Sequence, residues 1–178
     1  ADTVHITATD ADFRGLQIGS LDIVLGDVAI LDRTAGAIDG QLDDVTIRVA
    51  GGERVSIDRI TIGGTLEKVT TTTVIPNAEA EVLIADAVEA QTGARPTAVT
   101  LTAPSGLTVK AAGQTIKGTF AVNAKGDLVV RATDGPVADT EIVLVRGGDD
   151  LPIELTSVKV TSDGGLRLAG DLAIGLLG

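Results

Sequence analysis

This chain has no cysteine, methionine, tryptophan or tyrosine, and Phe13 and Phe120 are its only aromatic residues. Without cysteine there can be no disulfide, no thiolate nucleophile and no cysteine-based metal centre. A single histidine, His5, supplies the only imidazole, so nucleophile–base–orienter chemistry has almost no vocabulary. Positive charge is scarce as well. Fourteen Lys and Arg stand against 25 Asp and Glu, giving a formal net charge of −11 and a pI near 4.4. That balance argues against nucleic acid, whose affinity comes largely from cations on phosphates, and against polybasic adsorption to anionic lipid. No stretch approaches the roughly 20 apolar residues of a transmembrane helix. The chain starts at Ala1–Asp2 and not at methionine, and it is expected to be a mature or trimmed form whose export signal is gone.

What the chain does have is an aliphatic interior. Hydrophobic residues make up 44% of it, almost all Val, Ile, Leu and Ala, and at 178 residues one domain can bury a sizeable core. Most of this apolar mass alternates as in strands. Val4, Ile6 and Ala8 alternate with His5, Thr7 and Thr9. Val45, Ile47 and Val49 lead into Gly51–Gly52 and on to Val55 and Ile57, which is a hairpin signature. Further Gly-Gly pairs at 63–64, 147–148 and 164–165 read as turns.

The alternation slips phase three times: between Ile18 and Leu21, between Ile57 and Ile60, and between Leu155 and Val158. A one-residue slip would turn the apolar set to the wrong face unless the strand carries an extra residue. β-Bulges are therefore predicted near Gly19–Ser20, Asp58–Arg59 and Thr156–Ser157, and bulges bend a sheet. One segment reads differently. Residues 77–92, NAEAEVLIADAVEAQT, carry helical spacing, with Asn77 as candidate N-cap, acid in the first turn, Gly93 as a stop and Pro96 beyond it. Such a helix is about 24 Å long. Its apolar face comprises Ala80, Leu83, Ile84, Ala87 and Val88, and small residues there allow close approach of a sheet or leave a slot. After it, strands are predicted at 98–103, 106–111, 115–123, 127–132, 140–145, 151–161 and 165–175. The stretches 99–113 and 158–170 share one strand–turn–strand grammar.

Reactive constellations are sparse. There is no G-x-S-x-G elbow, Walker loop or dinucleotide-binding glycine string. Asp10/Asp12, Asp43/Asp44 and Asp149/Asp150 read as turn residues with their own hydrogen-bonding reason to be there. The run from Asp10 to Gly15 begins like a calcium loop. It fails where Arg14 replaces an oxygen ligand and Leu21 the closing Glu. A lipid hydrolase would need His5 to reach a serine such as Ser20 or Ser56. The expectation is therefore no catalytic residue, no metal and no cofactor.

Three segments carry a resemblance: VHITATDADFRGLQIGSLDIVLGDVAI (4–30), TTTTVIPNAEAEVLIADAVEAQTG (70–93) and LPIELTSVKVTSDGGLRLAGDLAI (151–174). In order, they resemble the first hairpin, the strand-then-helix centre and the closing segment of the LmeA family of exported actinobacterial phospholipid-binding proteins. The resemblance implies an envelope location, phospholipid as ligand, and an architecture akin to tubular lipid-binding modules.

The combined expectation is an α+β fold over residues 1–178, with a strongly curved, bulged antiparallel sheet wrapped around one principal helix. Its function would be that of an exported, non-enzymatic protein that shelters a phospholipid or other acyl-chain lipid, with contact to a membrane surface and none to nucleic acid. The groove lining is expected to be Leu83, Ile84, Ala87 and Val88 from the helix, with Phe13, Leu16, Ile18 and Phe120 from strands. The alternative is a structural or interaction module of the envelope with a dry core.

Overall fold

A computed structural model describes residues 2–13, 16–29, 35–49, 54–65, 67–135, 137–148 and 153–172. The predicted hairpin tip at Gly51–Gly52 and the pair Asp149/Asp150 lie outside the described residues. Five strands come first: β1 (Asp2–Phe13), β2 (Leu16–Val28), β3 (Ala37–Arg48), β4 (Arg54–Gly64) and β5 (Val69–Ile75). The helix α1 (Asn77–Thr92) follows. Then come β6 (Ala98–Thr102), β7 (Gly106–Ala111), β8 (Gln114–Val122), β9 (Leu128–Asp134) and β10 (Glu141–Val145), and finally β11 (Ile153–Val160) and β12 (Leu166–Leu172).

The fold is mostly antiparallel β with one helix, α+β in the broad sense, in two sheets. One sheet has seven strands in the order β1-β2-β3-β4-β5-β12-β11, and the other has five in the order β10-β9-β8-β7-β6. Each sheet is built from sequence-adjacent hairpins. The helix and the whole five-stranded meander are inserted between β5 and β12, which then pair directly.

The apolar alternation builds one continuous inner face on the larger sheet. Ala8, Leu21, Leu42, Ile60, Thr73, Leu168 and Val158 stand side by side across all seven strands. Ile60, at the centre of that row, and Leu168, on β12, are each only 1% exposed. The two buried threonines in the run at 70–73 satisfy their hydroxyls on neighbouring strands. Thr73 Oγ1 donates to the Arg59 carbonyl at 2.7 Å, and Thr71 Oγ1 to the Gly170 carbonyl at 3.2 Å.

The three phase slips are resolved in two different ways. At Thr156 there is a true bulge: the β11–β12 register shifts between Leu155 and Ser157. At Gly19–Ser20 and Asp58–Arg59 the expectation of an inserted residue is corrected. Thr9, Ser20, Asp43 and Arg59 pair in line across β1–β4. Beside them Asp10, Gly19, Asp44 and Asp58 drop out of the ladder together, with no change of register across the row. Four strands thus change phase in concert, one residue for one residue, and the aliphatic set stays inward on both sides of the row. The device is a left-handed backbone at Asp10 (φ 52°) and Asp44 (φ 52°), a conformation that Asp tolerates better than most residues. Asp10, Asp12, Asp43 and Asp44 therefore lie within strands and not, as predicted, at turns between them.

Gly19 is required by this arrangement. A Cβ there would lie 2.7 Å from the Asp44 Cβ. Gly19→Ala is predicted to lower stability by about 1–3 kcal/mol through overpacking, whereas Asp44→Gly alone should stay within about 1 kcal/mol of the parent. Combining the two removes the clash and should restore most of the loss. Urea denaturation of the four proteins measures this, and strictly additive effects would show that the two positions do not meet.

Candidate functional site

The helix forms where its spacing predicts. Gly93 closes it in the left-handed conformation (φ 73°), its N–H donating to the Glu89 carbonyl at 2.8 Å. At the other end Pro76 occupies the N-cap, and the Asn77 side chain donates to Glu81 Oε1 at 3.0 Å instead of capping. Ala80, Leu83, Ile84 and Val88 are buried, while Ala87 is half-buried at the edge of that face. On the polar side Arg95 Nη1 donates to Asp86 Oδ1 at 3.1 Å and to Glu89 Oε2 at 2.9 Å. The hydrogen bond that Arg95 donates to Glu89, helped by the charges of Asp86 and Glu89, raises the Arg95 pKa above its ordinary value, although the group is exposed.

Between α1 and β10 runs a groove of about 290 Å³. Its floor is aliphatic: Leu83 from the helix, Ile142 and Leu144 from β10, and Val49 just beyond β3. Its helix wall is built of small side chains, Ala87 and Ala90, which leave the space open. Its rim is polar, with Asp86, Gln91, Glu141 and Arg146. Glu141 is held in place by Arg131 Nε at 3.3 Å and Asn123 Nδ2 at 3.2 Å, and Asp86 by Arg95. Three successive residues of β10, Ile142, Val143 and Leu144, reach the groove because the strand is irregular there. Its register against β9 shifts between Val143 and Val145, and such a shift re-aims side chains.

The eight residues predicted to line a groove are divided among several places. Leu83 and Ala87 line this one. Ile84 (0% exposed) and Val88 (4%) belong to the packed core. Leu16, Ile18 and Phe120 are buried in the same cluster. Ile18 also borders a polar depression of about 320 Å³ at the four-strand row, with Asp10, Asp12 and Asp44. Phe13, 37% exposed, ends β1. Sequence reasoning did not place Ile142, Leu144 or Val49 at the site. The continuous apolar run at 142–145 signals a strand buried on both faces, but nothing local says that the helix is its neighbour.

No Ser–His pair forms among the described residues at the positions considered. His5 lies on β1 with Nε2 2.6 Å from Asp22 Oδ1 on the exposed face. Ser20 stands opposite Thr9, four residues further along, or roughly 13 Å at strand spacing. Ser56 is on β4, three strands away in the sheet. No group of three or more acidic or histidine side chains among the described residues is arranged to hold a metal.

The chain matches no protein-family model, no curated protein and no solved structure. The likeness to LmeA rests on the three sequence segments alone.

The burial pattern makes a stability prediction. Ile84→Ala removes a fully enclosed side chain and should cost about 2–5 kcal/mol. Val82→Ala, at a side chain 45% exposed, should change stability by no more than about 0.5 kcal/mol. Chemical denaturation compares them, and equal effects would mean that the helix faces the core differently.

Proposed function

We propose that this protein is an extracytoplasmic lipid-binding protein of the cell envelope that shelters an acyl chain in the groove between α1 and β10. The observation that carries this reading is the groove itself: an aliphatic floor, a wall of alanines that leaves room, and a polar rim where a headgroup can stay in water. Its volume lies near the lower end of the roughly 300–1,000 Å³ typical of ligand pockets. It is about twice the ~150 Å³ of an apolar cavity that takes up benzene, so it suits one chain of about a dozen carbons and not two. At about 0.8 kcal/mol per buried CH₂, a chain of that length contributes about 9 kcal/mol before ordering costs.

The helix packs chiefly on β10, the edge of the five-stranded sheet that forms the other wall of the groove. A sheet curved around the helix remains the expectation for a lipid cradle. The arrangement of His5 and the serines favours a carrier over a hydrolase. The segments that resemble the LmeA family support phospholipid as the ligand and the envelope as the place, in the handling of envelope lipid or lipoglycan.

A second reading, a structural module with a dry core, is favoured by the burial of Ile84, Val88, Leu16, Ile18 and Phe120 in one cluster. One experiment separates the two. Protein purified from its natural host and extracted with organic solvent should release lipid detectable by mass spectrometry, at one groove-bound chain per protein. Ala87→Trp fills the slot, should lower that lipid content severalfold with the circular dichroism unchanged, and places the only tryptophan of the chain in the groove. Lipid-free protein that takes up no fatty acid from vesicles would support the dry module.

A further inference from the structure

We propose that the free edge of β1 pairs with the same edge of a second copy of this chain, so that two seven-stranded sheets join across a two-fold axis. A sheet edge presents unpaired N–H and C=O groups, and natural proteins cover, shorten or charge it. Three of the four edges here are managed in that way. β11 is covered: it packs on β8, the Val160 N–H donates to the Pro104 carbonyl at 2.7 Å, and the Ile153 carbonyl accepts from Gly148 at 3.3 Å. β6 and β10 are five residues each and lie against α1. β1 is the exception. It is twelve residues long, pairs only with β2 among the described residues, and is exposed along nearly its whole length.

From Val4 to Thr9 its pairing with β2 is regular, and its sequence there lacks the usual guards. From Asp2 to Phe13 there is no Lys, Arg or Pro, and Thr3–Thr9 carries no formal charge with His5 neutral. The inner face also reaches this edge uncovered: Ile6, 44% exposed, continues the apolar row from Ile23.

The pattern along β1 is self-complementary and selects one register. A two-fold axis through Ile6 sets Ile6 beside its own counterpart, Val4 opposite Ala8, His5 opposite Thr7 and Thr3 opposite Thr9. Every inward aliphatic side chain then meets another aliphatic one. Centring on Val4 would put Asp2 against Ile6, centring on Ala8 would put Asp10 against Ile6, and centring on His5 would stack two imidazoles. In the favoured register Asp2 falls opposite Asp10. Asp10 has already left the ladder at the four-strand row (φ 52°), so the acids flank the paired stretch and do not enter it. Each copy carries a net charge of −11, so added salt should strengthen the association by screening. The joined sheet is a closed, isologous dimer.

Sedimentation equilibrium of the intact protein, over a range of concentrations at low and moderate salt, tests the proposal. The mass should rise to twice that of one chain, more readily at higher salt. Ile6→Lys, a charge placed on an already exposed position, should hold the mass at one chain under the same conditions. Because the chain has no cysteine, Ile6→Cys introduces a single thiol at the axis. Mild oxidation should link it into a dimer much faster than it links Val82→Cys, on the exposed side of α1. The proposal is overturned by a mass that stays at one chain throughout. It is equally overturned by open-ended larger species, or by a dimer that survives Ile6→Lys with Ile6→Cys linking no faster than Val82→Cys.

Discussion

One constraint organises this molecule: the aliphatic side of the seven-stranded sheet must stay on one face although four of its strands change phase partway along. The row Asp10, Gly19, Asp44 and Asp58 meets that constraint. Two aspartates take the left-handed backbone, a glycine gives way opposite one of them, and the strands resume in register. Without this row, either Val45, Ile47, Val55 and Ile57 or Ile60, Ile62 and Leu42 would face water. A core built from side chains worth about 1.5–3 kcal/mol each on burial could not survive turning half of one sheet outward.

The rest of the architecture follows from the face so preserved. The helix uses small and medium side chains, so it can sit close to the sheets, and Ala80 and Ile84 are completely enclosed. At Ala87 and Ala90 the same smallness leaves space, and the irregular β10 brings Val143 to it beside Ile142 and Leu144. The groove therefore arises where a helix chosen for closeness meets a strand whose register has shifted. At the far side the aliphatic face runs out at β1, where Ile6 is 44% exposed. The molecule has two apolar openings of different kinds: one concave and suited to hydrocarbon, one a strand edge suited to another strand.

Much of the fold was legible in the sequence, because period-two alternation and helix punctuation are local signals. The helix at 77–92 and the strands after it fall close to their predicted bounds. The phase slips were also legible as slips. Their mechanism was not, because a single strand shows only that its own phase changes, and the one-for-one compensation exists only when β1 to β4 are aligned. The aspartates misled for a related reason. Asp favours turns, and here the turn-like backbone of Asp10 and Asp44 is embedded inside strands. At the site, Leu83 and Ala87 could be named because the helix face is periodic. Their partners on β10 could not, because five-stranded insertion between β5 and β12 is a tertiary fact without a local signature.

The groove between α1 and β10 carries the functional account, and its occupancy can be observed residue by residue. In a protein with methyl-labelled Ile, Leu and Val, titration with a spin-labelled single-chain fatty acid should broaden the methyl signals of Leu83, Ile142, Leu144 and Val49 first. Ile60 and Leu168, deep in the larger sheet, should stay sharp. Unaffected groove methyls at saturating ligand, or broadening confined to Ile6 and Val24 at the exposed edge, would contradict it.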